Sequence, residues 1–70
     1  MSDKTFAHIG HQLSLARRQK GLTQAEVAKR AGTNVNYYAK LERGEAVPSL
    51  KMLEKMLKAL GVQSSDVLPF

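Results

Sequence analysis

The 70-residue chain contains no cysteine and no tryptophan, and only 6% of its residues are aromatic. Without cysteine, neither disulfides nor a thiolate metal site can stabilise such a small fold, and helix packing must do this instead. The same absence fits a reducing compartment, and we expect a cytoplasmic protein. The length leaves room for one compact domain over residues 1–70.

Long apolar runs are also absent. The longest, at residues 59–62, falls far short of the roughly 20 residues that a membrane-spanning helix needs. Residues 1–6 read MSDKTF and lack the basic, apolar and small-residue order of a signal peptide. We therefore expect a soluble protein without export or membrane binding.

The residue patterns of an enzyme are missing as well. There is no cysteine nucleophile and no glycine-rich phosphate loop, and the carboxylates occur singly along the chain. His8 and His11 have a spacing that can hold a metal, yet no third ligand lies nearby in the sequence. We expect no catalytic residue, no metal, no cofactor and no small-molecule substrate.

Positive charge is plentiful, since 11 lysines and arginines against 6 acidic residues give a net charge of +5. Between residues 17 and 43 only Glu26 and Glu42 oppose the basic residues, which are Arg17, Arg18, Lys20, Lys29, Arg30, Lys40 and Arg43. This excess favours a polyanionic partner, either nucleic acid or an anionic membrane surface. A merely solvated basic surface is the alternative.

Hydrophobic periodicity predicts an amphipathic helix near the N-terminus. Its apolar residues recur at intervals of three and four, at Phe6, Ile9, Leu13 and Ala16. Thr5 is a candidate N-cap, and the helix should end before Gly21.

Two short helices should follow. Thr23 and Glu26 form a capping box, and the second helix should stop at Gly32 after an apolar face of Val27, Ala28 and Ala31. Asn34 is a good N-cap for the third helix, which should close at Gly44. Of its two adjacent tyrosines, we expect Tyr38 to share the core with Leu41.

A fourth helix is the most strongly periodic segment. Ser49 should cap it, Gly61 should stop it, and Leu50, Leu53, Met56, Leu57 and Leu60 form its stripe. Ser64 or Ser65 can begin a fifth short turn. The sequence shows no β-type alternation, so it predicts an all-α bundle of four to five short helices.

Residues 23–43 have the form of a helix-turn-helix, because two short helices are joined by a turn that contains glycine. We expect Ala28 and Gly32 to permit close approach of the two helices, and Gly32 to supply a backbone angle that other residues adopt only with strain. In such a unit the second helix can enter the DNA major groove.

Four stretches carry a resemblance to a known family. They are GLTQAEVAKRAG at residues 21–32, LERG at 41–44, Pro48 with Ser49, and residues 53–62. Over residues 9–68 the chain resembles the lambda-repressor-like, or Xre-type, helix-turn-helix regulators, which include phage repressor and Cro proteins and restriction-modification controller proteins. The resemblance implies the lambda-repressor-like DNA-binding fold.

The resemblance also implies which residues touch DNA. Gln24 matches a glutamine that donates to a phosphate or a base, and the exposed positions of the recognition helix fall on Asn34, Val35, Asn36, Tyr37 and Lys40. Asn36 can pair with adenine, Lys40 can donate to guanine, and Val35 can pack on a thymine methyl. Arg43 is placed to touch phosphate and to fix orientation.

Other positions are implied to be structural or unfavourable. Arg17 and Glu42 match an ion pair between helices one and three in several members of the family. Many members have basic or polar residues where this chain has Glu45, Ala46 and Val47. A carboxylate at that position repels a nearby phosphate, which weakens the expectation of phosphate contacts from this loop.

The function that follows is sequence-specific binding of double-stranded DNA by a transcriptional repressor or activator. One recognition helix reads only a few base pairs, so we expect a homodimer on an inverted-repeat operator. The apolar residues Val62, Val67, Leu68 and Phe70 either seal the core or form a dimer contact. The alternative function is a protein-interaction module, such as an antitoxin or coactivator-like domain, and RNA binding is a more distant one.

Overall fold

A computed structural model describes the backbone of residues 3–62 and the side chains from residue 7 onward within that range. These residues form the helices α1 (Asp3–Gln19), α2 (Gln24–Ala31), α3 (Val35–Glu42) and α4 (Leu50–Leu60). The all-α prediction is confirmed. The predicted turn at Ser64 or Ser65, and the apolar residues after Val62, lie outside the described residues.

The predicted caps begin three of the helices. Thr23 accepts a hydrogen bond from the Glu26 amide at 3.1 Å, and Glu26 accepts one from the Thr23 amide at 3.0 Å, which completes the capping box. Ser49 accepts from the Met52 amide at 3.0 Å in the same way at the start of α4. The prediction of Thr5 as an N-cap is wrong, because α1 already begins at Asp3 and Thr5 lies within its first turn.

The turn between α2 and α3 follows the predicted form. Gly32 has φ +75°, and the Thr33 amide donates to the Ala28 carbonyl at 2.9 Å, which satisfies the end of α2. Apart from Gly32 itself and its neighbours in the chain, no described atom lies within 4 Å of the position that a Cβ on Gly32 would take. Gly32 is therefore needed for its left-handed backbone conformation, and the expectation that it permits close helix approach is wrong.

The core lies where the apolar stripes of the helices meet. Its buried members are Ile9, Leu13, Ala16, Val27, Ala28, Ala31, Tyr38, Leu41, Leu53, Met56, Leu57 and Leu60. Tyr38 is 0% exposed, which confirms that it is the core member of the tyrosine pair. Burial of this surface from water is the main force that holds the short helices together.

A close approach between α1 and the end of α3 depends on Gly10. A Cβ at Gly10 would lie 2.7 Å from the Glu42 carbonyl oxygen and nearer still to that of Leu41. Real Cβ atoms do not approach backbone that closely, so only glycine allows α3 to rest on α1 here. This contact fixes the tilt of α3, and the hydrophobic pattern alone did not reveal it.

Candidate nucleic-acid interface

The outer side of α3 is polar and accessible. Val35 is 41% exposed, and Asn34, Asn36 and Lys40 are exposed as well, while Tyr38 and Leu41 on the opposite side are buried. We call Asn34, Val35, Asn36, Tyr37 and Lys40 the reading face. The 3.6-residue period of the helix separates this face from the core, as the sequence predicted.

Asn34 is committed to the start of α3. Its Oδ1 accepts a hydrogen bond from the Tyr37 amide at 2.8 Å. This N-cap satisfies one of the amides that a helix start leaves unpaired. The Asn34 side chain keeps both N–H groups of its amide, and one lone pair of Oδ1, for a ligand.

Tyr37 is the one residue of the reading face that also borders the core. Its side chain is half-buried and packs against the buried cluster. Part of the ring is therefore unavailable to a ligand, in contrast to the neighbouring Asn36, which is exposed.

An ion pair joins α1 to the end of α3. The Arg17 guanidinium donates to both carboxylate oxygens of Glu42, from Nε at 2.7 Å and from Nη2 at 3.2 Å. Its Nη1 also donates to the Leu22 carbonyl at 3.0 Å. The two side chains are only 14% and 6% exposed, which confirms the predicted structural pair.

Gln24 joins the same network. Its Nε2 donates to Oε1 of Glu42 at 2.9 Å, so the first residue of α2 is tied to the last residue of α3. The sequence did not predict this contact, since residues 24 and 42 are related only by the turn and the helix packing between them. The second N–H of the Gln24 amide is not used by this bond.

The network sets the ionisation of Glu42. Burial alone would raise the pKa of its carboxyl group, but hydrogen bonds from Arg17 and Gln24 outweigh that effect and hold the pKa below its usual value. Beside it, burial raises the pKa of Tyr38. Among the described residues, the Tyr38 hydroxyl finds no hydrogen-bond partner of good geometry.

A second ion pair lies just past the reading face. Arg43 donates to Glu45 from Nε at 2.8 Å and from Nη2 at 3.3 Å. These side chains are 54% and 55% exposed. The chain reverses between them at Gly44, which has φ +74°, and the sequence predicted the stop at Gly44 without the pairing that this turn creates.

Across residues 7–62, no cluster of three or more His, Asp or Glu side chains is arranged to hold a metal ion. Within residues 3–62, no helix has the length and apolarity needed to cross a membrane.

Comparison with known proteins places the chain in a family. The helix-turn-helix family model matches residues 13–67. This chain is a helix-turn-helix regulator of the lambda-repressor-like, Xre type. The restriction-modification controller protein C.AhdI of Aeromonas hydrophila has the same fold, with a TM-score of 0.90, 27% identity and coverage of 94% of this chain and 96% of that one.

Among its curated relatives, this helix-turn-helix chain covers most of one regulator and less than half of another. It is 39% identical to the uncharacterized HTH-type transcriptional regulator y4dJ of Sinorhizobium fredii, over 84% of this chain and 77% of the relative. It is 36% identical to the immunity repressor protein of Bacillus phage phi105, over 84% of this chain but only 41% of that repressor. DNA-binding transcription regulation is the function that these family relationships support.

Proposed function

We propose that this chain regulates transcription by placing the N-terminal part of α3 in the major groove of a specific DNA site. The reading face carries the proposal, because it is polar, basic and exposed on a helix whose other side is locked into the core. An α-helix fits the width of the major groove, where each base pair offers a distinct pattern of donors and acceptors.

Three side chains of the reading face have the chemistry for base contacts. Asn36 and Lys40 are exposed and lie one turn apart on the same side of α3. The Asn36 amide can bond adenine in a bidentate manner, and the Lys40 ammonium can donate to guanine O6 and N7. Val35 supplies an apolar surface for a thymine methyl group.

Phosphate contacts would orient the helix without reading sequence. Gln24 is the first residue of α2, where free backbone amides and the positive end of the helix dipole favour an anion. Its side chain keeps one N–H for a phosphate while the other is held by Glu42. Arg43 offers a guanidinium at the C-terminal end of the recognition helix α3.

A dimer on an inverted repeat completes the proposal. One recognition helix contacts only a few base pairs, and a twofold dimer would place two such helices roughly 34 Å apart on one side of the duplex. In this view residues 1–70 act as one DNA-binding domain without catalysis, and regulation follows from occupancy of a promoter.

The alternative is a protein-interaction module of the antitoxin or coactivator kind, because one fold serves many functions. A version of α3 that docked into the groove of a protein partner would present several apolar anchor residues at the reading face. Asn36 and Lys40 are polar and exposed here, and Val35 is the one large apolar side chain that is exposed on α3. This favours DNA.

The test is selection of binding sites from a random duplex pool, followed by titration of the enriched site at several salt concentrations. Enrichment of an inverted repeat supports the proposal, whereas failure of any sequence to enrich contradicts it. Lys40→Ala should lose roughly 1–3 kcal/mol of discrimination between the enriched site and random duplex. Lys51→Ala, an exposed lysine of α4, is the matched control and should bind like wild type.

A further inference from the structure

Glu45 lies two positions after Arg43, which is the C-cap of the recognition helix α3. A DNA phosphate could bind favourably at this place. The Glu45 amide donates to the Lys40 carbonyl at 2.8 Å, and the Gly44 amide donates to that of Leu41 at 3.1 Å. These two bonds form a Schellman motif, which fixes the backbone of the turn against the end of α3. The position of Glu45 is therefore set by the fold.

From this backbone position, the Glu45 side chain reaches Arg43. It accepts two hydrogen bonds from the guanidinium, at 2.8 Å and 3.3 Å. A phosphate group binds arginine through the same two-pronged arrangement. The carboxylate thus fills the Nε and Nη2 edge of the guanidinium, which is one of the edges that a phosphate of DNA could use.

Glu45 also lies in the field of Lys40. Hydrogen bonds from Arg43 are the main reason why the pKa of Glu45 lies below its usual value, and the charge of Lys40 lowers it further. One carboxylate therefore acts on two of the cations that the proposed function assigns to DNA. It remains charged at neutral pH.

We propose that Glu45 is an affinity-limiting residue, which holds Arg43 in an internal ion pair and repels the DNA backbone, so that the protein binds its duplex more weakly than its other residues would allow. The inference rests on the proposed function. A phosphate of the DNA must either displace the Glu45 carboxylate from Arg43 or bind beside it. Both routes reduce the electrostatic gain from that arginine.

Removal of the Glu45 charge should increase the affinity for DNA, and a variant that unfolds cannot produce such an increase. Both side chains of the pair are more than half exposed, and exposed ion pairs contribute little to stability. Glu45→Gln keeps the size and polarity of the side chain but removes the charge. It should therefore melt at the wild-type temperature.

The experiment titrates the enriched duplex with wild type and Glu45→Gln over a series of salt concentrations. Release of Arg43 to one phosphate predicts binding about three- to tenfold tighter at physiological salt, with a salt dependence steeper by about one. Glu45→Asp retains the charge and should bind about as weakly as wild type. Glu54→Gln changes the net charge equally on the exposed side of α4, and it should have no such effect.

Each outcome is decisive. Equal affinity of wild type and Glu45→Gln would overturn the inference while leaving DNA binding intact. Equal tightening by Glu54→Gln or by Glu45→Asp would overturn it too, since the cause would then be net charge or side-chain length. If neither wild type nor Glu45→Gln binds any duplex, the proposed function fails and the inference fails with it.

Discussion

The two Arg–Glu pairs of this molecule have nearly the same geometry and opposite surroundings. Arg17 and Glu42 are joined at 2.7 Å and 3.2 Å, and Arg43 and Glu45 at 2.8 Å and 3.3 Å. The first pair is 14% and 6% exposed, and the second is 54% and 55% exposed. Distance alone therefore does not distinguish them, and burial does.

The difference decides what each pair can do. A buried pair must remain intact, because the loss of either partner leaves an uncompensated charge away from water. An exposed pair can open, because water solvates both ions and salt screens them. The Arg17–Glu42 pair thus fixes α3 on α1, whereas the Arg43–Glu45 pair is free to exchange its carboxylate for another anion.

The largest expected effect comes from removing one partner of the buried pair. Arg17→Ala strands the Glu42 carboxylate, and we expect the free energy of unfolding to fall by about 3 kcal/mol or more. Chemical denaturation at neutral pH measures this loss. Arg43→Ala is the matched control from the exposed pair, and equal destabilisation by both variants would remove the distinction between them.

Acid should break the buried pair without a mutation. Hydrogen bonds from Arg17 and Gln24 lower the folded-state pKa of Glu42, so its contribution to stability is fully present above the unfolded-state pKa, near 4.3. It is lost as pH falls through the lower folded-state pKa. The loss of stability on acidification should be smaller in a variant that carries both Arg17→Met and Glu42→Leu; an unchanged pH profile would contradict the assignment to Glu42.

Gly10→Ala should disturb the buried Arg17–Glu42 pair through the backbone of α3. A Cβ at Gly10 would press on the carbonyls of Leu41 and Glu42, and the resulting shift of α3 should reduce stability by about 1–3 kcal/mol. Because the same shift moves the reading face, the affinity for DNA should fall even at temperatures at which the variant is still folded. Gly61→Ala is not an equivalent control, because Gly61 has a positive φ; His8→Ala, at an exposed position of α1, is the control and should leave both quantities unchanged.

Tyr38→Phe should have a small effect on stability, and it sharpens the role of the buried network. The hydroxyl lies beside Arg17 and Glu42, yet among residues 7–62 it has no partner of good geometry. Its removal should leave stability unchanged or raise it by up to about 1 kcal/mol. A loss of more than about 1 kcal/mol would show that the hydroxyl does bond to the pair.

Most of the fold was predictable because its signals are local. The capping box at Thr23, the N-caps at Asn34 and Ser49 and the glycine stops each depend on residues within one turn of the helix end. The start of α1 was placed too late because Thr5 satisfies the same local rule, although the helix already begins at Asp3.

The parts that were not predictable depend on contacts between distant segments or on the exact course of the backbone. The Gln24–Glu42 bond joins residues that are 18 positions apart. The approach of α3 to Gly10 likewise requires knowledge of how the helices cross. The Arg43–Glu45 pair is close in sequence, but only the reversal at Gly44 brings its side chains together. Four residues of the reading face, Asn34, Val35, Asn36 and Lys40, are exposed as predicted, whereas Tyr37 is half-buried. The contacts of all five with DNA remain a prediction.

The smallest effect on stability, and the sharpest test of the exposed pair, comes from Arg43→Ala and its combination with Glu45→Gln. Arg43→Ala should leave the melting temperature unchanged and weaken binding to specific and random duplexes alike, because the unpaired Glu45 carboxylate then repels the DNA backbone. If the two charges largely cancel in the wild type, the double variant removes both and should bind with nearly wild-type affinity. Binding of the double variant as weak as that of Arg43→Ala would instead show that Arg43 makes its phosphate contact despite Glu45, and that the carboxylate does not limit affinity.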